Sequence, residues 1–79
     1  MKGARVETQP DLETHTFGTR LREERTRAKL TQHALAGKVG LTTAYVSLLE
    51  RDTREPSFQV MKTLAKALDT TMSKLVEGI

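Results

Sequence analysis

The stretch from residue 31 to residue 51 reads TQHALAGKVGLTTAYVSLLER and contains two short segments with helical periodicity. Their apolar residues are Leu35, Ala36 and Val39 in the first segment and Val46 and Leu49 in the second. Thr31 and Thr42 precede the segments, where a hydroxyl can accept a hydrogen bond from a free amide of the first helical turn. Gly40 lies between them, where a left-handed residue can end one helix and redirect the chain. The stretch therefore predicts two capped helices joined by a turn, which is a helix-turn-helix motif.

Helical periodicity continues on both sides of this motif. Pro56 separates two segments because the residue before a proline disfavours helix, and Ser57 can cap the segment that follows. We expect helix 1 over about residues 16–28, helix 2 over about 32–39, helix 3 over about 43–51, helix 4 over about 58–68 and a short helix 5 capped by Thr71. No segment alternates with a period of two residues, so the sequence predicts an all-α fold of five helices.

Length and composition limit the classes of protein that are possible. The chain has 79 residues, a formal net charge of +3 and no cysteine, which allows one small domain without a disulfide framework. Residues 1–14 are polar and show no helical period, so we expect a flexible N-terminal arm followed by a single domain over residues 15–79. No apolar run approaches the length of a membrane span, and the N-terminus lacks the apolar centre of a secretory signal. We therefore expect a cytoplasmic protein that does not contact a membrane.

The positive charge is concentrated on the half of the chain that carries the helix-turn-helix. Helix 1 contributes Arg20, Arg22, Arg25 and Arg27, and Lys29, Lys38, Arg51 and Arg54 follow. Most of these charges are expected to lie on a solvated face with local ion pairs, such as Glu23 with Arg27 at a spacing of four residues. A basic surface beside a helix-turn-helix is also the electrostatic pattern of a nucleic-acid-binding domain.

The residues LTQHALAGKVGLTTAYVSLLERDTREPS, numbered 30–57, resemble the helix-turn-helix of the Cro/C1-type repressors, also called the xenobiotic-response-element family. The matching positions are Leu30, Thr31, Gln32, Leu35, Ala36, Gly40, Val46, Ser47, Leu49, Glu50, Arg51, Pro56 and Ser57. The resemblance covers about residues 16–76 and implies a lambda-repressor-like DNA-binding domain, with the helix-turn-helix formed by helices 2 and 3. It also implies an ion pair between Arg25 and Glu50. The run TxxYVSxxER, residues 42–51, is similar to that of restriction–modification controller proteins.

The first turn of helix 3 is predicted to meet base edges, because an α-helix fits the major groove of DNA. Thr43 offers a hydroxyl or a methyl group, Ala44 offers only apolar contact, and Tyr45 either reaches DNA or packs half-buried. Gln32 is expected, by the resemblance, to contact the DNA backbone. The predicted DNA-binding residues are Gln32, Lys38, Thr42, Thr43, Ala44, Tyr45, Ser47, Arg51 and Arg54. The three cations of this set could reach flanking phosphates or could simply be solvated. Phage repressors often carry glutamines where this chain has Thr43 and Ala44, so direct readout should be weaker here and DNA shape more important.

These observations favour a transcriptional regulator that binds a (pseudo)palindromic operator in double-stranded DNA as a homodimer. The alternative is the antitoxin of a toxin–antitoxin pair, which would bind both its operator and a toxin; a third reading is a protein-interaction module that lost DNA binding. We expect the dimer interface to include Leu75, Val76 and Ile79, unless these residues only complete the monomer core. We expect no enzyme activity, no cofactor, no metal and no small-molecule ligand, because no phosphate loop, nucleophile elbow or metal-ligand spacing is present. His33 is expected to be an ordinary surface histidine.

Overall fold

The computed structural model describes residues 16–75. Five α-helices occur in this range: α1 Phe17–Arg27, α2 Gln32–Val39, α3 Thr43–Glu50, α4 Phe58–Ala67 and α5 Met72–Leu75. No strand is present between residues 16 and 75, so the predicted all-α, five-helix fold is confirmed. No helix of this range is long and apolar enough to cross a membrane. The predicted N-terminal arm, residues 1–14, lies outside the described residues, as do Val76 and Ile79.

Hydroxyl side chains cap the helices at the positions that the sequence indicates. The hydroxyls of Thr31 and Thr42 accept hydrogen bonds from backbone amides three residues further on, at 3.0 and 3.1 Å. Ser57 and Thr71 make the same contact at the starts of α4 and α5, both at 3.1 Å. Gly40 ends α2 with a φ of 74°, in the left-handed region that glycine adopts without steric cost. Both helices of the motif therefore begin at a cap encoded locally in the sequence, and α2 also ends at one.

One apolar core joins the helices. It consists of Phe17, Leu21, Leu35, Ala36, Val46, Leu49, Leu64, Ala65, Leu68 and Leu75. Helix α1 packs against α3 and α5, α2 packs against α3 and α4, and α4 packs against α5. Leu75 is 0% exposed, so it has no surface to offer a partner and is removed from the predicted dimer interface. The physical reason is that α5 packs against α1 and α4, so that Leu75 becomes part of the apolar core.

The start of α1 is held against the end of α3. Asp52 follows α3 with a left-handed φ of 60°, and its carboxylate accepts hydrogen bonds from the Thr16 hydroxyl at 2.6 Å and the Gly18 amide at 3.0 Å. A side chain on Gly18 would not fit, because its Cβ would lie 2.5 Å from the carbonyl oxygen of Glu50 and 2.7 Å from that of Leu49. This close approach fixes where α3 ends relative to α1, and no spacing along the sequence predicts it.

Candidate nucleic-acid interface

Helix α3 exposes its first turn and buries its opposite face. Val46 and Leu49 are both 0% exposed. The residues of the first turn and of the position one turn on remain exposed or partly exposed; they are Thr42, Thr43, Ala44, Tyr45 and Ser47. Thr42 already uses its hydroxyl to cap the helix, and Tyr45 packs against the core while part of its side chain stays accessible. The accessible edge of α3 is therefore short-chained and polar, with one aromatic residue.

A buried carboxylate lies behind this edge. Glu50 accepts hydrogen bonds from Arg25 through Nε at 2.6 Å and Nη2 at 3.1 Å. The remaining amino group of Arg25, Nη1, donates to the carbonyl of Leu30 at 2.8 Å. A bidentate, charge-assisted pair of this kind fixes the relative orientation of the two side chains as well as contributing energy. The pair joins α1 to the last residue of α3 and so holds the helix-turn-helix against α1.

Gln32 takes part in the same cluster. Its Nε2 donates to Oε1 of Glu50 at 3.0 Å. This bond uses one of the two N–H groups of the amide and none of the acceptor capacity of its carbonyl oxygen. The bond to Glu50 fixes the side-chain amide of Gln32, which is the first residue of α2. The second N–H group of this amide therefore lies beside the N-terminus of α2, and a helix N-terminus favours an anion.

Arg22 also lies at this cluster, although it is not among the site residues predicted from the sequence. Its Nε is 3.9 Å from Oε1 of Glu50, and its side chain is 69% exposed. Since Arg25 already balances the charge of Glu50, these three charged side chains sum to one positive charge beside Gln32. The signal in the sequence is the spacing of three residues between Arg22 and Arg25, which places both on one face of α1.

The other predicted cations lie at separate places. Arg51 follows α3, is exposed and donates from Nε to the carbonyl of Ser47 at 3.4 Å, which leaves both terminal amino groups out of that contact. Arg54 is exposed in the loop between α3 and α4. Lys38 lies at the opposite end of α2 from Gln32, where it lines a shallow groove with residues of α4.

The ion pairs on α1 differ from the predicted one. Glu23 pairs with Arg20 at 3.1 Å, and Arg27 pairs with Glu24 at 2.9 Å, so the expected pair of Glu23 with Arg27 is wrong. Both observed pairs have a spacing of three residues, which on a helix surface is as favourable as four. Glu24 is largely buried, and Arg27 provides a partner for its carboxylate.

A second polar contact joins α2 to the exposed turn of α3. Nδ1 of His33 lies 3.0 Å from Oγ1 of Thr43. His33 is the second residue of α2 and is exposed, while Thr43 is the first residue of α3 and is partly exposed. The sequence offered no signal for this contact, because it depends on how the two helices cross rather than on any spacing along the chain.

The fold and the exposed turn of α3 define a helix-turn-helix domain. The family model HTH_3, described as Helix-turn-helix, matches residues 21–75. The chain is 38% identical over 61 residues to the immunity repressor protein of Bacillus phage phi105, with coverage of 77% of this chain and 42% of that protein. It is 33% identical over 67 residues to repressor protein C2 of Salmonella phage P22, with coverage of 85% and 31%. The chain therefore belongs to the Cro/C1-type helix-turn-helix family of transcriptional regulators, and it spans less than half the length of these two curated relatives.

Solved structures agree with this assignment. The crystal structure of the P22 c2 repressor in complex with a synthetic operator has a TM-score of 0.76 and 33% identity, and the match covers 84% of this chain and all of that chain. The restriction–modification controller protein C.AhdI from Aeromonas hydrophila has a TM-score of 0.74 and 41% identity, and the match covers 80% of this chain and 96% of that chain. Similarity to both phage repressors and a controller protein confirms the family that the sequence indicated.

Proposed function

We propose that this chain is a sequence-specific transcriptional regulator that binds a (pseudo)palindromic operator in double-stranded DNA as a homodimer, with α3 in the major groove. The observation that carries the proposal is the division of α3 into a fully buried face, formed by Val46 and Leu49, and an exposed first turn. The P22 c2 repressor, which has the same fold and 33% identity, supports it because that protein was solved in complex with an operator. The proposal requires no catalytic step and no cofactor.

The exposed side chains divide into two groups by what they can contact. Thr43, Ala44, Tyr45 and Ser47 are short or amphipathic and sit where a helix in the major groove meets base edges. Gln32 offers its second amide N–H, together with the N-terminus of α2, to a phosphate oxygen. The outer phosphates would be met by exposed cations, for which we propose Arg22, Lys38, Arg51 and Arg54.

The division into base-contacting and phosphate-contacting side chains can be tested by binding measurements. The DNA is a duplex that the chain itself selects from a pool of duplexes with a randomised central sequence. Arg51→Ala should weaken binding to all duplexes alike and reduce the slope of log affinity against log salt by about one unit, as loss of one phosphate contact does. Thr43→Ala should relax preference at one or two base pairs and cost about 1 kcal/mol on the best duplex. Lys74→Ala is the matched control, since it removes one exposed positive charge from α5 and should leave both quantities unchanged. Unchanged binding in both Arg51→Ala and Thr43→Ala at moderate salt would contradict the proposal.

The dimer follows from the limited readout of one copy. A single exposed turn with short side chains reads only a few base pairs, which is too little to select one site among genomic competitors. Two copies related by a two-fold axis double the readout and require half-sites about one helical turn apart. We propose that the interface lies in the segment that follows α5 and includes Val76 and Ile79, with Leu75 excluded because it is buried within its own chain.

Analytical ultracentrifugation tests the dimer. The wild-type chain should sediment as a dimer at tens of micromolar, and Val76→Asp should be folded but monomeric, with weak operator binding, because a charge in an apolar interface is costly to desolvate. Ser73→Asp, which adds the same charge at an exposed position of α5, is the control and should remain dimeric. A wild-type chain that stays monomeric and binds one half-site as tightly as the palindrome would exclude the dimer.

A further inference from the structure

We propose that His33 is a positioning residue that sets the base preference of Thr43. The inference rests on the proposed DNA-binding function and assigns a role to a residue that is not among the predicted DNA-binding residues. His33 acts through the 3.0 Å contact between its Nδ1 and the hydroxyl of Thr43, which is the first residue of α3. The residue itself need not touch a base for this role.

The structural tasks around the contact of His33 with Thr43 are already performed by other residues. The start of α3 is capped by Thr42, whose hydroxyl accepts from the amide of Tyr45 at 3.1 Å. The crossing of α2 and α3 is held by the shared core and by the bond from Gln32 to Glu50 at 3.0 Å. His33 is exposed, so its removal would leave no cavity. What the contact does fix is the side-chain torsion of a β-branched residue, and with it the directions of both the hydroxyl and the methyl group of Thr43.

The proton on the imidazole decides what the Thr43 hydroxyl can offer to a base. A threonine hydroxyl has one donor and two acceptor sites, and a neutral imidazole has one nitrogen of each kind. If Nδ1 accepts, the Thr43 O–H points to His33 and only acceptor sites remain for DNA, which suit the exocyclic amino group of cytosine or adenine. If Nδ1 carries a proton, it donates to Thr43, whose own O–H is then free for the acceptors of guanine or thymine. The histidine thus selects between two base classes without changing Thr43.

Base preference can be measured with the best duplex selected by the wild-type chain and with its variants at each base pair. Thr43→Val, which replaces the hydroxyl by a methyl group of similar size, identifies the base pair that Thr43 reads. His33→Ala should reduce the affinity ratios at that same base pair by about threefold or more and leave ratios at other base pairs unchanged, because contacting residues are coupled and distant ones are not. The double variant should lose no more than Thr43→Val alone. Lys74→Ala, a change at an exposed position of α5 outside the proposed DNA-binding residues, should leave every ratio unchanged.

Variants at His33 separate this role from a purely structural one. His33→Gln keeps a side chain that can hydrogen-bond to the Thr43 hydroxyl, so it should restore part of the base preference that His33→Ala loses. His33→Leu has a side chain of similar size without a hydrogen-bonding atom, so it should lose the preference as His33→Ala does.

The outcomes distinguish this inference from the function on which it rests. If Thr43→Val alters preference at one base pair but His33→Ala lowers affinity for all duplexes equally, or changes nothing, His33 does not position Thr43 and the proposed function stands. A base preference in His33→Leu equal to that of the wild-type chain would also overturn the inference. If the wild-type chain selects no duplex from the pool, the proposed function and the inference both fail.

Discussion

Replacing Glu50 with glutamine should lower the free energy of unfolding by about 3 kcal/mol. The substitution keeps the shape of the side chain but removes the negative charge that balances Arg25. The side chains of Glu50 and Arg25 are 2% and 13% exposed, so solvent cannot take over the role of the missing partner. Removing one member of a buried ion pair typically costs about 3–5 kcal/mol, because the other charge remains buried without compensation.

The lower end of that range applies for two reasons that the geometry provides. Glutamine retains one oxygen that can accept from Arg25, and Arg25 keeps its 2.8 Å bond to the carbonyl of Leu30. A loss of about 3 kcal/mol corresponds to about a hundredfold change in the folding equilibrium. For a domain of this size the melting temperature should fall by about 12–24 °C. Small domains have only about 5 kcal/mol or somewhat more in total, so the variant would be close to unfolding.

Urea unfolding followed by circular dichroism gives the difference directly, provided that the dependence on urea has the same slope in both proteins. Glu23→Gln is the matched control: its carboxylate is 53% exposed and pairs with Arg20, so its loss should cost less than about 1 kcal/mol. The double substitution Arg25→Met with Glu50→Leu should recover most of the stability, because it removes the buried charges together. The reasoning is refuted if Glu50→Gln costs less than about 1 kcal/mol, or if the double variant is no more stable than Glu50→Gln.

Two further predictions concern the close approach of α1 to α3 and use the same unfolding assay. Gly18→Ala should destabilise the fold by about 1–3 kcal/mol, since its Cβ would lie within 2.8 Å of three oxygen atoms, whereas Gly37→Ala, which has open space around it, should be neutral or stabilising by up to about 1 kcal/mol; similar losses in both would contradict the packing argument. Asp52→Ala should cost about 1–3 kcal/mol more than Asp69→Ala, because both residues follow a helix with a left-handed φ but only Asp52 accepts bonds from the start of α1; equal losses would mean that backbone strain dominates.

Features encoded locally could be predicted from the sequence. The bounds of α2 match the prediction at both ends, α3 and α4 begin at the predicted residue and end one residue earlier, and α1 is one residue shorter at each end. This agreement has a physical cause: Thr31, Thr42 and Ser57 cap the helices that directly follow them, and Gly40 ends the helix that directly precedes it. Such signals act within four residues of the chain, so no knowledge of the tertiary structure is needed to read them.

Features that depend on how the helices cross could not be predicted from spacing along the chain, and the ion pair of Arg25 with Glu50 was expected only from the resemblance to a known family. The contact of His33 with Thr43 spans ten residues, and that of Gly18 with Asp52 spans 34. Leu75 shows the same limit in another form, since an apolar residue on a short helix can face its own core or a partner. Periodicity identifies the apolar face of a helix but not what covers it, and in this structure α1 and α4 cover Leu75.

The polar contacts at the end of α3 explain how a helix of only eight residues keeps a fixed direction while its first turn stays exposed. Glu50, its last residue, is held by Arg25 near the C-terminal end of α1, and Asp52, two residues further on, is held by the N-terminal turn of α1. One helix therefore fixes the end of α3 at two points along its length. The first turn has a separate polar contact, from His33 to Thr43. Because the two ends are held by different residues, changes at Glu50 or Asp52 should weaken binding to every duplex by altering the direction of α3. Changes at His33 should alter only which bases are preferred.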